Sequence, residues 1–181
     1  NWDPKLKTTI SDLEVVQKEV TGSLWYIKYA IENEDASIVI ATTRPETMLG
    51  DTAIAVHPED ERYKDIIGKN AILPILNKSI PIIADEYVKM DQGSGAVKIT
   101  PAHDFNDYEI GVRHNLEVIN IFNENAELNE NTPMNYQGLS RYDARDKIIR
   151  ELEELNALEK IEENKHTVPY GDRSGEVVEL G

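Results

Sequence analysis

Gly93 to Tyr108, reading GSGAVKITPAHDFNDY, leaves the backbone few choices. Ala96-Val97-Lys98-Ile99-Thr100 alternates with the period of a half-buried strand, which puts Lys98 and Thr100 on one face and Val97 and Ile99 on the other. Pro101 stops the strand. Asp104 then opens a helical pattern as its N-cap, and Asp107, three residues on, shares its face of the first turn. Earlier in the chain Ala41 to Asp51, reading ATTRPETMLGD, also follows an apolar, strand-like run. The two polar segments hold Thr42, Thr43, Arg44, Thr47, Lys98, Thr100, His103, Asp104 and Asp107. Local pattern alone favours a modest reading of the acids: Asp104 caps the amide of Asp107, and Asp107 suits the positive end of the helix dipole.

Around these segments the chain reads as many short strands. Asn1 to Val20 is extended and mixed in polarity, a linker strand. Ser23 to Ile31 and Ser37 to Thr42 form a hairpin across a polar turn at Glu32 to Asp35, so Thr42-Thr43-Arg44-Pro45 lies at a strand end, with Pro45 opening a short helix through Leu49. Thr52 to Val56 is a strand, and His57 opens a short helix to Ile67, stopped by Gly68. Strands follow at Ala71 to Leu76, Ser79 to Ala84, Tyr87 to Lys89 and Glu117 to Phe122, with Asn77-Lys78 as a turn and Asn123 to Pro133 as a polar loop. Ser140 to Asn156 is the clearest helix: Ser140 and Asp143 resemble a capping box, and Ala144, Ile148, Leu152 and Leu155 form its apolar stripe. Lys160 to Val168 and Glu176 to Leu180 return as strands. Many strands and few helices without βαβ alternation predict an α+β fold with a curled, barrel-like mixed sheet and short flanking helices. One domain over residues 1–181 is expected, with 22–168 as its core and 1–21 and 169–181 as linker strands.

Charge restricts the partner. The chain carries 34 acidic and 19 basic residues, a net charge of -15, and such a surface repels a phosphate backbone over any broad face. Without cysteine there is no disulfide, thiolate metal site or cysteine nucleophile. No apolar run reaches the length of a membrane span and no signal peptide opens the chain, so a cytoplasmic monomer is expected.

ATTRPETMLGDTAIAVHPEDERY, IPIIADEYV, GSGAVKITPAHDFNDYEIGVRHNL and VPYGDRSG together resemble the editing domains inserted into the class I valyl-, isoleucyl- and leucyl-tRNA synthetases. The resemblance runs over nearly the whole chain, from Asn1 to Gly175, and Glu46 with Lys98-Ile99-Thr100-Pro101 favours the valyl type. It implies the same barrel-like fold, with termini that leave side by side as a two-stranded stalk. It implies hydrolysis of mischarged threonyl-tRNA, because a shape-selective pocket rejects an added hydroxyl by only about a hundredfold, a limit known from the valine enzymes themselves. Carried over residue by residue, it gives Arg44 and Thr47 to the terminal adenosine and the ester, and Lys98, Thr100, Asp104 and Asp107 to the aminoacyl group, with Asp107 on the α-ammonium. Thr42, Thr43, Glu46 and His103 stand beside them as substrate contacts. A positioned water is the expected nucleophile, with oxyanion donors from Thr43, Thr47 or backbone amides.

Other chemistries fit less well. Asp91-Gln92-Gly93-Ser94-Gly95 fails the G-x-S-x-G spacing required of a Ser94-His103-Asp triad. His103, Asp104 and Asp107 lack an H-E-x-x-H pattern, so no metal or other cofactor is expected. No Rossmann nucleotide motif and no HIGH-like or KMSKS-like element occurs, so this chain is expected to be a fragment whose partners are the rest of a synthetase and the charged 3'-adenosine of valine tRNA. An inactive insertion that only positions tRNA, and editing of the isoleucyl or leucyl kind, are the alternatives.

Overall fold

A computed structural model describes residues 1–180. In chain order the strands are β1 (Trp2–Asp3), β2 (Thr8–Thr9), β3 (Val15–Ile31), β4 (Ser37–Thr42), β5 (Ala53–Val56), β6 (Asn70–Leu73), β7 (Lys78–Ala84), β8 (Ala96–Ile99) and β9 (Leu158–Gly171). Helix α1 is Phe105–Arg113 and helix α2 is Arg141–Glu154. Seven strands make one mixed sheet in the order β4-β3-β6-β7-β5-β8, with β9 added on β3. All pairings in it are antiparallel except β5 with β7. The sheet curls until the turn before β8 meets β4: a Cβ on Gly93 would stand 2.9 Å from that of Ala41, and the Ser94 hydroxyl donates to the Val39 carbonyl at 2.5 Å. The result is the curled half-barrel with few short helices that the strand pattern predicts.

The main core joins Ile27, Tyr29 and Ile31 of β3 and Ile38 and Ile40 of β4 to Ile54, Val56, Leu73, Ile80 and Ile82. Ala144, Ile148 and Leu152 seal it from α2, each fully buried; burying such side chains contributes roughly 1.5–3 kcal/mol apiece for the larger ones. Strand β5 is buried on both sides, since Ala53 and Ala55 face a second cluster with Val88, Ile99 and Ile110. Its unbroken apolar run reflects that double burial. Gly111 brings α1 down on Pro101, whose ring carbons lie 3.1 and 3.2 Å from where a Cβ would be.

The longest departure from the predicted elements is β3. It starts at Val15 rather than Ser23 and runs unbroken for 17 residues, paired with β9 from Val15–Gly171 to Ile27–Leu158 as a long ribbon. Asn1 to Glu14 is therefore not one strand but β1, β2 and a 3-10 turn at Asp12–Glu14. Between His57 and Ile67 only Lys64–Ile66 turns as a 3-10 helix, because the Asp60 carboxylate takes the amide and guanidinium of Arg62. Tyr87 to Lys89 is a turn pinned by the Asp85 carboxylate on the Tyr87 amide at 2.9 Å. Glu117 to Phe122 pairs only through the Phe122–Leu128 bridge; its backbone groups are taken instead by Asn129, Asn131 and His103 side chains. Glu176 to Leu180 likewise holds only isolated bridges to Tyr170 and Trp2. Leu155 leaves the α2 stripe and is 57% exposed at the C-cap.

Candidate functional site

Strand β8 delivers Lys98 and, just past its end, Thr100 to a polar knot inside the protein. Lys98 Nζ donates to Asp51 Oδ1 at 2.7 Å, the Thr100 hydroxyl donates to the same oxygen at 2.7 Å, and the Tyr29 hydroxyl donates to Asp51 Oδ2 at 2.6 Å. Lys98 Nζ also meets Thr100 Oγ1. Asp51 is 0% and Lys98 7% exposed, so the charges are satisfied by one another rather than by water. Burial pushes the Asp51 carboxyl above its ordinary value, while Lys98 and the hydrogen bonds pull it back. Gly50 makes room: a Cβ there would lie 3.3 Å from Thr100 Cγ2 and 3.1 Å from the Ile119 carbonyl.

Asp107 adjoins this knot. Its Oδ2 accepts from the Thr100 backbone amide at 2.9 Å, and its own amide donates to the N-cap carboxylate of Asp104 at 2.9 Å. Asp104 thus caps α1 as its position predicts, while Asp107 points back across the strand end. Burial, with the Asp104 carboxylate second, pushes Asp107 up to about 7. His103 Nε2 accepts the Ile121 amide at 3.0 Å, its ring stands edge-on to Phe122, and burial pushes it down to about 4. A neutral histidine so engaged is a poor general base. Ser94 spends its hydroxyl on the Val39 carbonyl, so no serine nucleophile is paired with that ring.

The threonine-rich segment lies at the end of β4. Thr42 Oγ1 accepts the Arg44 amide at 3.0 Å, and Thr47 donates to the Arg44 carbonyl at 3.0 Å, which together lock the backbone around Arg44. Thr43 is partly exposed and its hydroxyl makes no hydrogen bond among the described residues. Glu46 is 1% exposed and is clamped by Arg145 at 2.8 and 2.9 Å and by Arg44 at 3.2 Å. Burial opposes its charge, but Arg44 and Arg145 outweigh it and hold the carboxyl below its ordinary value. Arg44 and Arg141 both grip Glu179, at 2.7 Å each.

A cavity of about 620 Å³ opens between this segment, α2 and the β3–β9 ribbon. Thr43, Arg44, Glu46, His103 and Asp104 reach its wall, as do Arg141 and Arg145; Thr42, Thr47, Lys98, Thr100 and Asp107 do not. The two sequence segments therefore meet as an outer part, lined by arginines paired with Glu46 and Glu179, and an inner part built on the Asp51 knot. Pattern reading singled out neither Asp51 nor Tyr29. A lysine on the buried face of a strand is itself the signal, since it requires a carboxylate nearby. No helix among the described residues is long and apolar enough to cross a membrane.

The family model for the leucyl-tRNA synthetase editing domain matches residues 66–166. This chain belongs to the editing domains of the class I aminoacyl-tRNA synthetases. Its relatives are valine–tRNA ligases: those of Francisella tularensis and Geobacillus kaustophilus are 58% and 60% identical to it over 99% of its length. The editing domain spans only 20% of the length of these curated relatives. Among solved structures, GlLeuRS-CP1 superposes with a TM-score of 0.61 at 15% identity, over 78% of this chain and all of that one. An Agrobacterium radiobacter K84 LeuRS–tRNA–LeuAMS complex gives 0.60 at 22% identity, over 82% of this chain and 20% of that one. At such identities the superpositions speak for the fold of the editing domain, and the ligase sequences speak for its type.

Proposed function

We propose that this editing domain hydrolyses the ester of threonine mischarged on valine tRNA, with a positioned water as nucleophile. The observation that carries the reading is the contact of Asp107 with Thr100. In threonine the α-ammonium and the β-hydroxyl sit on neighbouring carbons, so their two readers must be neighbours too. Asp107 Oδ2 lies 2.9 Å from the Thr100 amide, beside the Lys98–Thr100 pair that would read the hydroxyl. Asp107 takes the ammonium; Asp104, exposed and committed to the helix cap, is the weaker candidate for it. Valine places a methyl where the hydroxyl belongs, leaving buried donors and acceptors unpaired, and matched polar sites reject such an analogue by about 10⁴ or more.

The outer part suits the terminal adenosine. In a chain of net charge -15, the cavity gathers Arg44, Arg141 and Arg145 on one wall, each already paired with Glu46 or Glu179, so what it offers an RNA end is guanidinium N–H donors beside balanced charge and not a positive field. Thr47 has spent its proton on the Arg44 carbonyl, which leaves Thr43 as the hydroxyl free to donate to a developing oxyanion. The parent synthetase holds the body of the tRNA and the cytoplasm is the expected site of action. The test is hydrolysis of threonyl-, valyl- and isoleucyl-tRNA by the domain, alone and with Asp107→Ala. Selective loss of the threonyl ester, abolished by the substitution, is expected. Hydrolysis of valyl-tRNA at the threonyl rate, or none of any ester by the domain at high concentration and within its parent enzyme, refutes the reading.

A further inference from the structure

We infer that Asp51 is the positioning residue that makes Lys98 and Thr100 into a hydroxyl reader, by fixing which donor and which acceptor they have left to offer. This rests on the editing reading above and assigns it a residue that touches no substrate.

An ammonium has three N–H donors and no lone pair, whereas a threonine hydroxyl has one donor and two lone pairs. Lys98 must therefore donate wherever it touches, to Asp51 Oδ1 and to Thr100 Oγ1. Thr100, with a lone pair taken by Lys98, sends its single proton to Asp51 Oδ1. Tyr29, fully buried, supplies a third donor to the other carboxylate oxygen. A carboxyl met by three donors is satisfied only as the anion. What remains is one N–H on Lys98 and one lone pair on Thr100, side by side. A hydroxyl is the small group that accepts the first and donates to the second; a methyl does neither.

Without Asp51 nothing chooses this arrangement. The Thr100 proton is then free to turn outward, where it meets the substrate's own donor proton, and the buried ammonium loses its counter-charge. Thr100 is 1% exposed, so once an aminoacyl group fills the site no bulk water remains beside it to repair the pattern. The geometry that brings the carboxylate in is specific to the chain: the Thr52 backbone amide donates to the Ile99 carbonyl at 2.9 Å, at the edge of the β5–β8 register, and Gly50 lets that turn approach Thr100.

The experiment compares hydrolysis of threonyl- and valyl-tRNA by the unmutated domain, by Asp51→Asn, and by Asp85→Asn as a control that removes a buried carboxylate outside the network. The unmutated domain is expected to prefer the threonyl ester; a lack of preference refutes the editing reading itself. In Asp51→Asn that preference falls by about tenfold or more, the equivalent of one lost hydrogen bond, through a slower threonyl rate with the valyl rate held. Asp85→Asn keeps the unmutated ratio. A folded Asp51→Asn with an unchanged ratio, or with both rates falling in parallel, overturns the proposal and leaves the editing reading standing. Where Asp51→Asn does not fold, neutron diffraction of the unmutated domain decides: the Thr100 hydroxyl deuteron is expected on the Asp51 side, and a deuteron pointing away from Asp51 overturns it.

Discussion

Replacing Asp107 by Asn should stabilise the domain at alkaline pH while destroying its activity. The amide keeps an oxygen for the Thr100 backbone N–H, so the hydrogen bond at 2.9 Å survives and only the charge is lost. Burial and the Asp104 carboxylate push Asp107 from its ordinary 3.8 up to about 7 in the folded protein. Between those two values the folded domain holds a proton that the unfolded chain has released, so stability falls as pH rises through that window and stays lower above it. At 1.36 kcal/mol for each pH unit, the gap between 3.8 and about 7 sets a ceiling of about 4 kcal/mol. The carboxyl is partly exposed, and solvent screening reduces this to about 1–2 kcal/mol. Against it stands the loss of an acid in the first turn of α1, worth roughly 0.5 kcal/mol. The net gain at pH 8 raises the melting temperature of a domain this size by roughly 2–5 °C, and below pH 4 Asp107→Asn gains nothing. Threonyl-tRNA hydrolysis by the same protein should drop by about two orders of magnitude or more, because the α-ammonium loses its carboxylate. Thermal unfolding at pH 4 and pH 8 beside a deacylation assay reads both. An Asp107→Asn domain that melts lower than the unmutated one at pH 8 refutes the reasoning.

Three further outcomes follow from the same contacts. Glu46→Ala leaves Arg44 and Arg145 without their shared buried partner and should cost about 3–5 kcal/mol in urea unfolding, with Arg44 displaced and hydrolysis lost in parallel. Asp85 is brought down to about 2, since Arg113, the Tyr87 amide and His114 outweigh its burial; its contribution is present above pH 3.8 and lost as pH falls towards 2. Asp85→Asn should therefore lose about 1–2 kcal/mol at pH 7, a small part of that at pH 2 and nothing well below it, as an acid titration of unfolding will show. Ser94→Ala removes the tie to the Val39 carbonyl, costs about 1 kcal/mol of stability, and leaves hydrolysis intact; an inactive but folded Ser94→Ala would restore a serine mechanism.

The elements that the sequence made legible are those specified locally. The caps at Asp104 and Ser140, the β3–β4 hairpin and the α2 stripe through Leu152 all rest on neighbours within a few residues, and each is where its pattern puts it. The extended runs were harder because alternation says that a segment is stretched, not what pairs with it. Glu117 to Phe122 has a strand's pattern but gives its backbone to asparagine and histidine side chains from elsewhere. Tyr87 to Lys89 has β-favouring residues, yet one buried carboxylate at Asp85 turns it. The same division runs through the site. Lys98, Thr100 and Asp107 declare themselves in one segment, but Arg141 and Arg145 face the cavity from α2, and Asp51 meets Lys98 across 47 positions of sequence.

On the proposed reading, that long-range meeting explains why the residues assigned to the aminoacyl group lie inside the sheet rather than in the cavity beside it. Loops could gather a lysine, a threonine and two carboxylates, but water would compete for every proton and the difference between a hydroxyl and a methyl would shrink towards the hundredfold limit. Here Asp51, just before β5, meets Lys98 of β8 and Thr100 just past its end, and the antiparallel β5–β8 pair holds the two segments together, a constraint as stiff as the fold itself. The cost is a charged pair and an uneasy carboxyl in places where apolar side chains would stabilise the domain more. Such local conflicts gather where function demands them. On the proposed editing reading, the stability that Asp107→Asn gains and the discrimination that Asp51→Asn loses are two measures of that one conflict: what the fold gives up to hold unspent donors and acceptors away from water is what would let it tell threonine from valine.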